Sequence, residues 1–326
     1  MAMKSVKNVN SVSGKGSLTE MWKKQSFREV NFWQVNHKVK NIFEVKGITI
    51  MSSPDAWRKF SWTRKFFGEK PKEGYFIWVK RETDFPLMTC ITISSPKISQ
   101  DLRNLLVIEK NIKAKANVIC NAKEKFLCGK HLARGKVILK EGVFLEYNHI
   151  HKWGKKDNVF PDYEFTLEKG ARLIYNYQNL FPPENLEFKT KIHSGERTSS
   201  NLNFIVNSLN SKTKIKDSVF LEGKNSQTVV RLRLVGRKRG QIEAVSQIFA
   251  KAPGKGHLDC QGLLVDKTAK ISLIPQLVCQ NKEAQITHEA SIGKISEEEL
   301  IYLATRGLSE KEAIDLIVSG FLKKIK

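Results

Sequence analysis

Between residues 74 and 291 the chain alternates short apolar runs with polar corners. YFIWV, CITI, NLLVI, NVIC, KVIL, VFLEY, EFTL, ARLIYNY, NFIV, SVFL, VVRLRLV, EAVSQIF, GLLV, ISLI and AQIT succeed one another with Gly, Asn, Asp and Lys between them. Windows with the period of a long amphipathic helix are nearly absent from this stretch. Many short strands at fairly even spacing predict an all-β domain. More than a dozen strands is too many for one ordinary sandwich, whereas a solenoid buries the inward face of each rung on its neighbours. The rhythm of strand, KxG or KxA, and strand in LKEGVFL, LEKGARL and LVDKTAKI suits the corners between rungs.

Helical patterning is confined to the two ends. Over residues 292–326, Ser296 and Glu299 form a capping box, in which hydroxyl and carboxylate each satisfy the other's free backbone N–H. Ile295 and Leu300 are placed as its hydrophobic staple, and Arg306 followed by Gly307 predicts the stop. Ser309 and Glu312 repeat the box, with Leu308 and Ala313 as staple and Ile314, Leu316, Ile317, Phe321 and Leu322 as the apolar stripe. Such a hairpin is too small to bury its own stripe, so it must dock on the preceding domain or on another chain. Residues 1–73 read as a mixed, partly helical region. In SSPDAWRKFSWTRKFFG, residues 52–68, Ser53 is expected as the N-cap, Pro54 as the first helical residue and Gly68 as the end. On that helix Trp57, Phe60 and Phe67 share one side and Trp62 and Phe66 the other. The expected helix is covered on both sides, or stacks bases on its rings.

Composition narrows the classes. The 326 residues carry a formal net charge of +23, a field that favours nucleic acid, anionic lipid or an acidic protein. The lysines are spread along the chain rather than gathered in one stripe, so a basic nucleic-acid-binding solenoid is the alternative reading, not the first. No apolar run approaches the ~18–20 residues of a membrane span, and the opening MAMKSVKNVNSVSGKGSLTE has no signal-peptide apolar region. The expectation is a cytoplasmic protein with no membrane partner. The five cysteines are scattered and lack CxxC spacing, which argues for reduced thiols and against a four-cysteine zinc site.

The chemistry offered is sparse. APGKGH lacks the spacing of a phosphate-wrapping GxxxxGK[ST] loop, and neither a GxSxG elbow nor an HExxH helix occurs. The chain is therefore not expected to be an ATPase or a hydrolase. His149 and His151 in YNHIHKWG alternate along a strand and face the same side. Such a pair chelates a metal or is merely solvated. Cys260, in KGHLDCQGLLV, is either a small core residue or a ligand. With His288 and Glu289 it supplies a thiolate, an imidazole and a carboxylate, donors that iron and iron-sulfur species accept. On an ideal strand His288 and Glu289 point to opposite faces, so they share a site only at a bend, an edge or a subunit interface.

The tail HEASIGKISEEELIYLATRGLSEKEAIDLIVSGFL resembles the C-terminal signature of the SufB and SufD family, scaffold components of the SUF system of iron-sulfur cluster assembly. APGKGHLDCQGLLV is similar to the family's rung with a functional cysteine, and Cys260 precedes Glu289 by twenty-nine residues, as in the SufB pattern. GYFIWVKRETDFPLMTCITIS resembles the early β segment, and NLLVIEKNIKAKANVIC the stretch leading to a second cysteine. The chain departs from the family pattern at VICNAK around Cys120 and at Gly262. The resemblance covers residues 74–322. It implies a right-handed parallel β-helix over residues 74–291 with small helical regions at both ends. It implies that the hairpin docks SufC, an ABC-type ATPase that supplies the ATP hydrolysis, through Ile295, Leu300, Tyr302, Leu303, Arg306, Gly307, Ile314 and Phe321. Cys260, His288 and Glu289 become the ligands of sulfur, iron and a transient iron-sulfur cluster at a dimer interface. The second subunit is SufD-like or a further SufB-like copy. Cys120 becomes the thiol at which sulfur arrives from a donor desulfurase, with persulfide passing along the β-helix interior. A bound reduced flavin is also implied, with no residues to place it.

Overall fold

Alternation of side chains along a strand, inward then outward, governs almost every turn of this chain. The computed structural model describes residues 30–43 and 45–323. It begins with β1 (Phe32–Val35), β2 (Lys38–Ile42) and β3 (Ile48–Ser52), followed by helix α1 (Ser53–Lys59), a 3-10 turn at Ser61–Thr63 and helix α2 (Arg64–Phe67). Strands then follow without an intervening helix: β4 (Tyr75–Val79), β5 (Leu87–Ile93), β6 (Ser99–Ile108), β7 (Lys113–Ala122), β8 (Lys130–Leu139), β9 (Phe144–Lys152), β10 (Asn158–Leu167), β11 (Arg172–Phe181), β12 (Asn185–Ser194), β13 (Ser199–Leu209), β14 (Lys212–Leu221), β15 (Ser226–Arg237), β16 (Gln241–Ala250), β17 (Gly254–Leu264), β18 (Lys270–Cys279) and β19 (Gln285–Lys294). Helices α3 (Glu297–Thr305) and α4 (Glu310–Lys323) come last.

From β4 onward the even-numbered strands build one sheet and the odd-numbered strands the other, each strand pairing in parallel with the strand two before and two after it. Eight strands in each sheet make a parallel β-solenoid of eight turns, the architecture expected from the strand census. The described part of residues 1–73 is continuous with it. β1 pairs in parallel with β5 and antiparallel with β2, while β3 pairs antiparallel with β4, so these strands extend both sheets. Residues 1–29 of that region lie outside the described residues.

Inward positions fill a continuous core. Leu173, Tyr175 and Tyr177 on β11, and Leu202, Phe204 and Val206 on β13, are buried to within 1%, each such apolar side chain stabilising the fold by roughly 1.5–3 kcal/mol. Inward Gly135 makes room for a large neighbour, since a Cβ there would stand 2.3 Å from Cε1 of Tyr163. At the corners, Gly142 and Gly170 both take φ near +70°, a left-handed conformation that glycine adopts without steric cost. Outward positions carry a ladder of amides. Asn148 donates to Asn117, Asn176 to Asn148 and Asn203 to Asn176, at 3.0, 2.8 and 2.8 Å. Each donation crosses one register-aligned pair of the odd sheet, so the ladder fixes the register of four successive rungs.

The aromatic segment differs from the helix expected of it. Ser52, not Ser53, is the N-cap of α1, its side chain accepting from the Asp55 N–H. The helix then breaks at Phe60, where φ −123° and ψ 99° are extended. The break redirects Trp62 and Phe66, so that they join Trp57, Phe60 and Phe67 in one cluster with Phe76, Leu105, Val107 and Ile138 of the even sheet. Trp62 packs edge-on to Trp78 with centroids 5.2 Å apart. Rings engaged in this way form a lid on the outer face of the sheet rather than an open stacking platform.

At the other end both capping boxes form. Ser296 and Glu299 exchange bonds of 3.1 and 3.2 Å, and Ser309 and Glu312 do so at 3.4 and 2.9 Å. Gly307, at φ +86°, ends the first helix. The hairpin docks on its own solenoid. Val318 of α4 is buried with Val235 and Leu263, flanked by Ile295, Ile314, Ile317, Phe321 and Leu322, and Arg237 reaches Asp315 at 3.3 Å. Among the described residues, no helix is long and apolar enough to cross a membrane.

Candidate functional site

Parity along β17 decides where Cys260 points. It follows Leu258 at strand spacing and is buried in the core at 1% exposure, whereas the alternate residues Asp259 and Gln261 face outward. Across the interior stand two further polar groups, Asp217 of β14 and Ser246 of β16, both inward by the same alternation. Ser246 Oγ donates to Asp217 Oδ2 at 2.6 Å, while Oδ1 has no partner among the described residues. Burial pushes the Asp217 carboxyl up to about 7. Burial, reinforced by the negative charges of Asp217 and Asp259, pushes the Cys260 thiol up to about 12. Burial thus holds both groups toward their protonated forms. On the outer face of the same strand Arg233 donates to both oxygens of Asp259, at 2.9 and 2.6 Å, a buried bidentate pair that locks β15 to β17.

Strand β19 is the next rung, and its register is regular. Leu258 stands beside His288, Asp259 beside Glu289 and Cys260 beside Ala290. His288 therefore shares the inward parity of Cys260, and Glu289 points to the opposite face, as an ideal strand requires. Glu289 lies 3.6 Å from His257 Nε2, and the Nδ1 of that ring is 2.8 Å from Thr287 Oγ1. No bend joins His288 and Glu289. The strand is nevertheless an edge: among the described residues it pairs only with β17, and nearly all of its residues are exposed, Ile292 at 44%.

Cys120 lies farther back, on β7. Its Sγ is 3.8 Å from His149 Nε2, and that atom is 2.9 Å from His151 Nε2. The three donor atoms all fall within 4.8 Å of one another and are buried. The solvated setting expected for the histidine pair is corrected here. They occupy the inward positions of β9 in line with Leu145 and Tyr147, while Asn148 and Ile150 take the outer face. Tyr175 Oη is 3.3 Å from His149 Nδ1 and Tyr177 Oη 3.1 Å from His151 Nδ1. Burial drives the Cys120 thiol well above its ordinary range and His149 down to about 3. Cys120, like Cys260, is thus buried with its thiol held in the protonated form. Nearby, His131 stands 2.8 Å from Gln100 Oε1 through Nδ1, with its ring 4.7 Å from that of Trp153.

The residues expected to hold a partner divide into two sets. Ile295, Ile314 and Phe321 pack on the chain's own odd sheet. Leu300 and Leu303 are half-buried, and Tyr302, Arg306 and Gly307 are exposed, with the Arg306 guanidinium 5.3 Å from the Tyr302 ring centroid. Ile301 and Leu316, exposed at 64% and 53%, belong with Tyr302 among the exposed large apolar residues.

The SufBD core domain of the SUF system of FeS cluster assembly matches residues 91–321, a span holding Cys120, Cys260, β19, α3 and most of α4. This chain belongs to the SufBD family. An iron-sulfur cluster assembly SufBD family protein of Methanothermobacter thermautotrophicus is 29% identical over 302 residues, covering 85% of this chain and 73% of its own length. One from Archaeoglobus fulgidus is 28% identical over 298 residues, covering 85% and 80%. The iron-sulfur cluster assembly protein SufB of Bacillus subtilis is 25% identical over 259 residues, covering 77% of this chain and 55% of its own. Membership of the SufBD family makes this chain an iron-sulfur cluster assembly protein. Asp217, Ser246 and the Arg233–Asp259 pair escape sequence inspection, although KIKDSVFL carries a signal: Asp217 has the parity of Ile215, Val219 and Leu221.

Proposed function

We propose that this chain is a scaffold subunit, not a stand-alone enzyme, that collects sulfur and iron at the β17–β19 end of the solenoid and hands on a nascent cluster. The family match over residues 91–321 carries this reading, and the local geometry supports it. Cys260 and His288 share the inward parity of adjacent rungs, and Glu289 sits on an edge strand that a second SufB-like or SufD-like subunit can cover. Pairing across that edge supplies the interface at which ligands on opposite faces meet. Iron and sulfur are cargo here. Burial, with the neighbouring carboxyl groups of Asp217 and Asp259, opposes ionisation of Cys260, so the thiol is held protonated between loads. Cys120 stands on β7, five rungs back from β17 with its Sγ 3.8 Å from His149 Nε2, and has no part in the site proposed at the β17–β19 end. The exposed face of the hairpin, Ile301, Tyr302 and Leu316, is the docking surface for a SufC-type ATPase.

Deleting the hairpin would bare Val235 and Leu263, so surface variants make the cleaner test. The full chain should co-elute with the SufC of its own genome, and Ile301→Asp with Tyr302→Ala should abolish co-elution without lowering the melting temperature. Cys260→Ala should then fail to assemble a cluster in a SufC-containing reconstitution. Normal assembly by that variant, or a full-length chain indifferent to SufC, overturns the reading.

A further inference from the structure

Three donor atoms converge inside the solenoid at a point that cluster assembly at the β19 end does not use. Cys120 comes from β7, and His149 and His151 from the adjacent rung β9. All are within 1% of full burial. Ions bound at ~2.3 Å to sulfur and ~2.0–2.1 Å to nitrogen hold their donors roughly 3.3–3.7 Å apart in a tetrahedral arrangement. The observed separations of 2.9 and 3.8 Å, with every pair inside 4.8 Å, bracket that range. The widest pair, inside 4.8 Å, would have to close by up to about 1 Å to complete the arrangement.

The surroundings match as well. A ligating histidine is normally held through its second nitrogen by an acceptor that fixes ring and tautomer. Here the third rung, β11, supplies one such group for each ring: the Tyr175 hydroxyl at His149 Nδ1 and the Tyr177 hydroxyl at His151 Nδ1. With both Nδ1–H groups donating to tyrosine oxygens, the two Nε2 lone pairs face each other at 2.9 Å. That arrangement is repulsive without a cation beside them. A single N–H between the rings would relieve it for the pair, but would leave the thiol only a long contact of 3.8 Å.

We infer that Cys120, His149 and His151 form a transition-metal site inside the solenoid, buttressed by Tyr175 and Tyr177. One thiolate and two imidazoles suit thiophilic and borderline ions, Zn2+, Fe2+ or Cu+, and exclude Mg2+ and Ca2+, which take oxygen ligands. Binding displaces one proton, that of the Cys120 thiol, to solvent. The remaining imidazole protons stay on Nδ1. Because the ligands are sealed by the rungs on either side, the ion is acquired as the coils form and is retained afterwards, tying the β7 and β9 rungs together. The site is independent of cluster assembly at Cys260 and is tested without it.

The full chain is produced in media supplemented separately with zinc, iron or copper, washed with chelator, and its metal measured by mass spectrometry. About one ion per chain should survive the wash in one of the three media, and should fall at least about tenfold in Cys120→Ser and His151→Gln while Cys128→Ser, which removes an exposed thiol, keeps it. Since the first two variants can fail to fold, the wild-type chain is also refolded with Co2+. A thiolate-to-cobalt charge-transfer band with tetrahedral d–d bands is expected. Folded wild-type protein lacking both the band and a retained ion in every medium overturns the site, leaving the triad as a hydrogen-bonded core network. So does metal retained undiminished in folded Cys120→Ser.

Discussion

Asp217 stands in the interior with one oxygen bonded to Ser246 and the other without a partner among the described residues. That one residue makes a contribution to the pH dependence whose sign is fixed. The folded carboxyl keeps its proton until about 7, whereas the ordinary value is 3.8. As pH rises from about 4 to 7 the unfolded chain releases a proton that the folded chain retains, so the Asp217 contribution to stability declines through this window and is level above it. The buried neutral histidines His131, His149 and His151 act in the opposite direction and are common to wild type and variant. Denaturant unfolding at pH 4 and pH 8 should show the wild type losing on the order of 4 kcal/mol relative to Asp217→Asn. A wild-type-to-variant difference that is the same at both values would contradict the buried assignment. The histidines teach a related point. His149 and His151 were legible as sharing one face of a strand, but their polarity suggested water, and only the packing of Tyr147, Tyr175 and Tyr177 around them shows which face it is.

Elements divide by whether their signals are local. The terminal hairpin is specified by two capping boxes and a glycine stop, and it forms where those signals put it. Its docking is a tertiary matter, because the apolar stripe says only that something must cover it. The cover is the odd sheet at Val235 and Leu263. Val318→Asp should therefore undock α4. Hydrogen exchange should show amides of residues 313–323 losing protection while those of β11 to β14 are unchanged, and uniform loss across both would mean that the hairpin is integral to the global fold. The segment at residues 52–68 shows the opposite case. Its start was visible to within one residue, the cap being Ser52 rather than Ser53, yet the break at Phe60 follows from the cluster that all five rings join on the even sheet, and no local propensity encodes that surface.

At the scale of the whole molecule, the C-terminal end of the solenoid is uncovered among the described residues. β19 is an edge strand with Ile292 exposed, and β18 beside it exposes Ile274 and Val278. Long, exposed apolar edges invite pairing, and here the pairing surface lies one rung from Cys260. Light scattering across a dilution series should show the wild type dimerising and Ile292→Lys shifted to monomer with an unchanged melting temperature. A wild type monomeric at every concentration would mean that a different chain covers the edge. The amino-acid sequence by itself determined the strand period, the solenoid class, the corners and the capped helices, because each rests on contacts between residues near one another along the chain or on alternation that survives any choice of register. It also held the amide ladder, since Asn117, Asn148, Asn176 and Asn203 recur at nearly one rung's spacing. Tertiary structure alone decided which alternate set turns inward, and hence that Cys260 meets Asp217 and Ser246 and that Cys120 meets two histidines. The reason is physical: those partners are about thirty or more residues apart, or lie in opposite sheets, and only the closure of each coil brings them within reach.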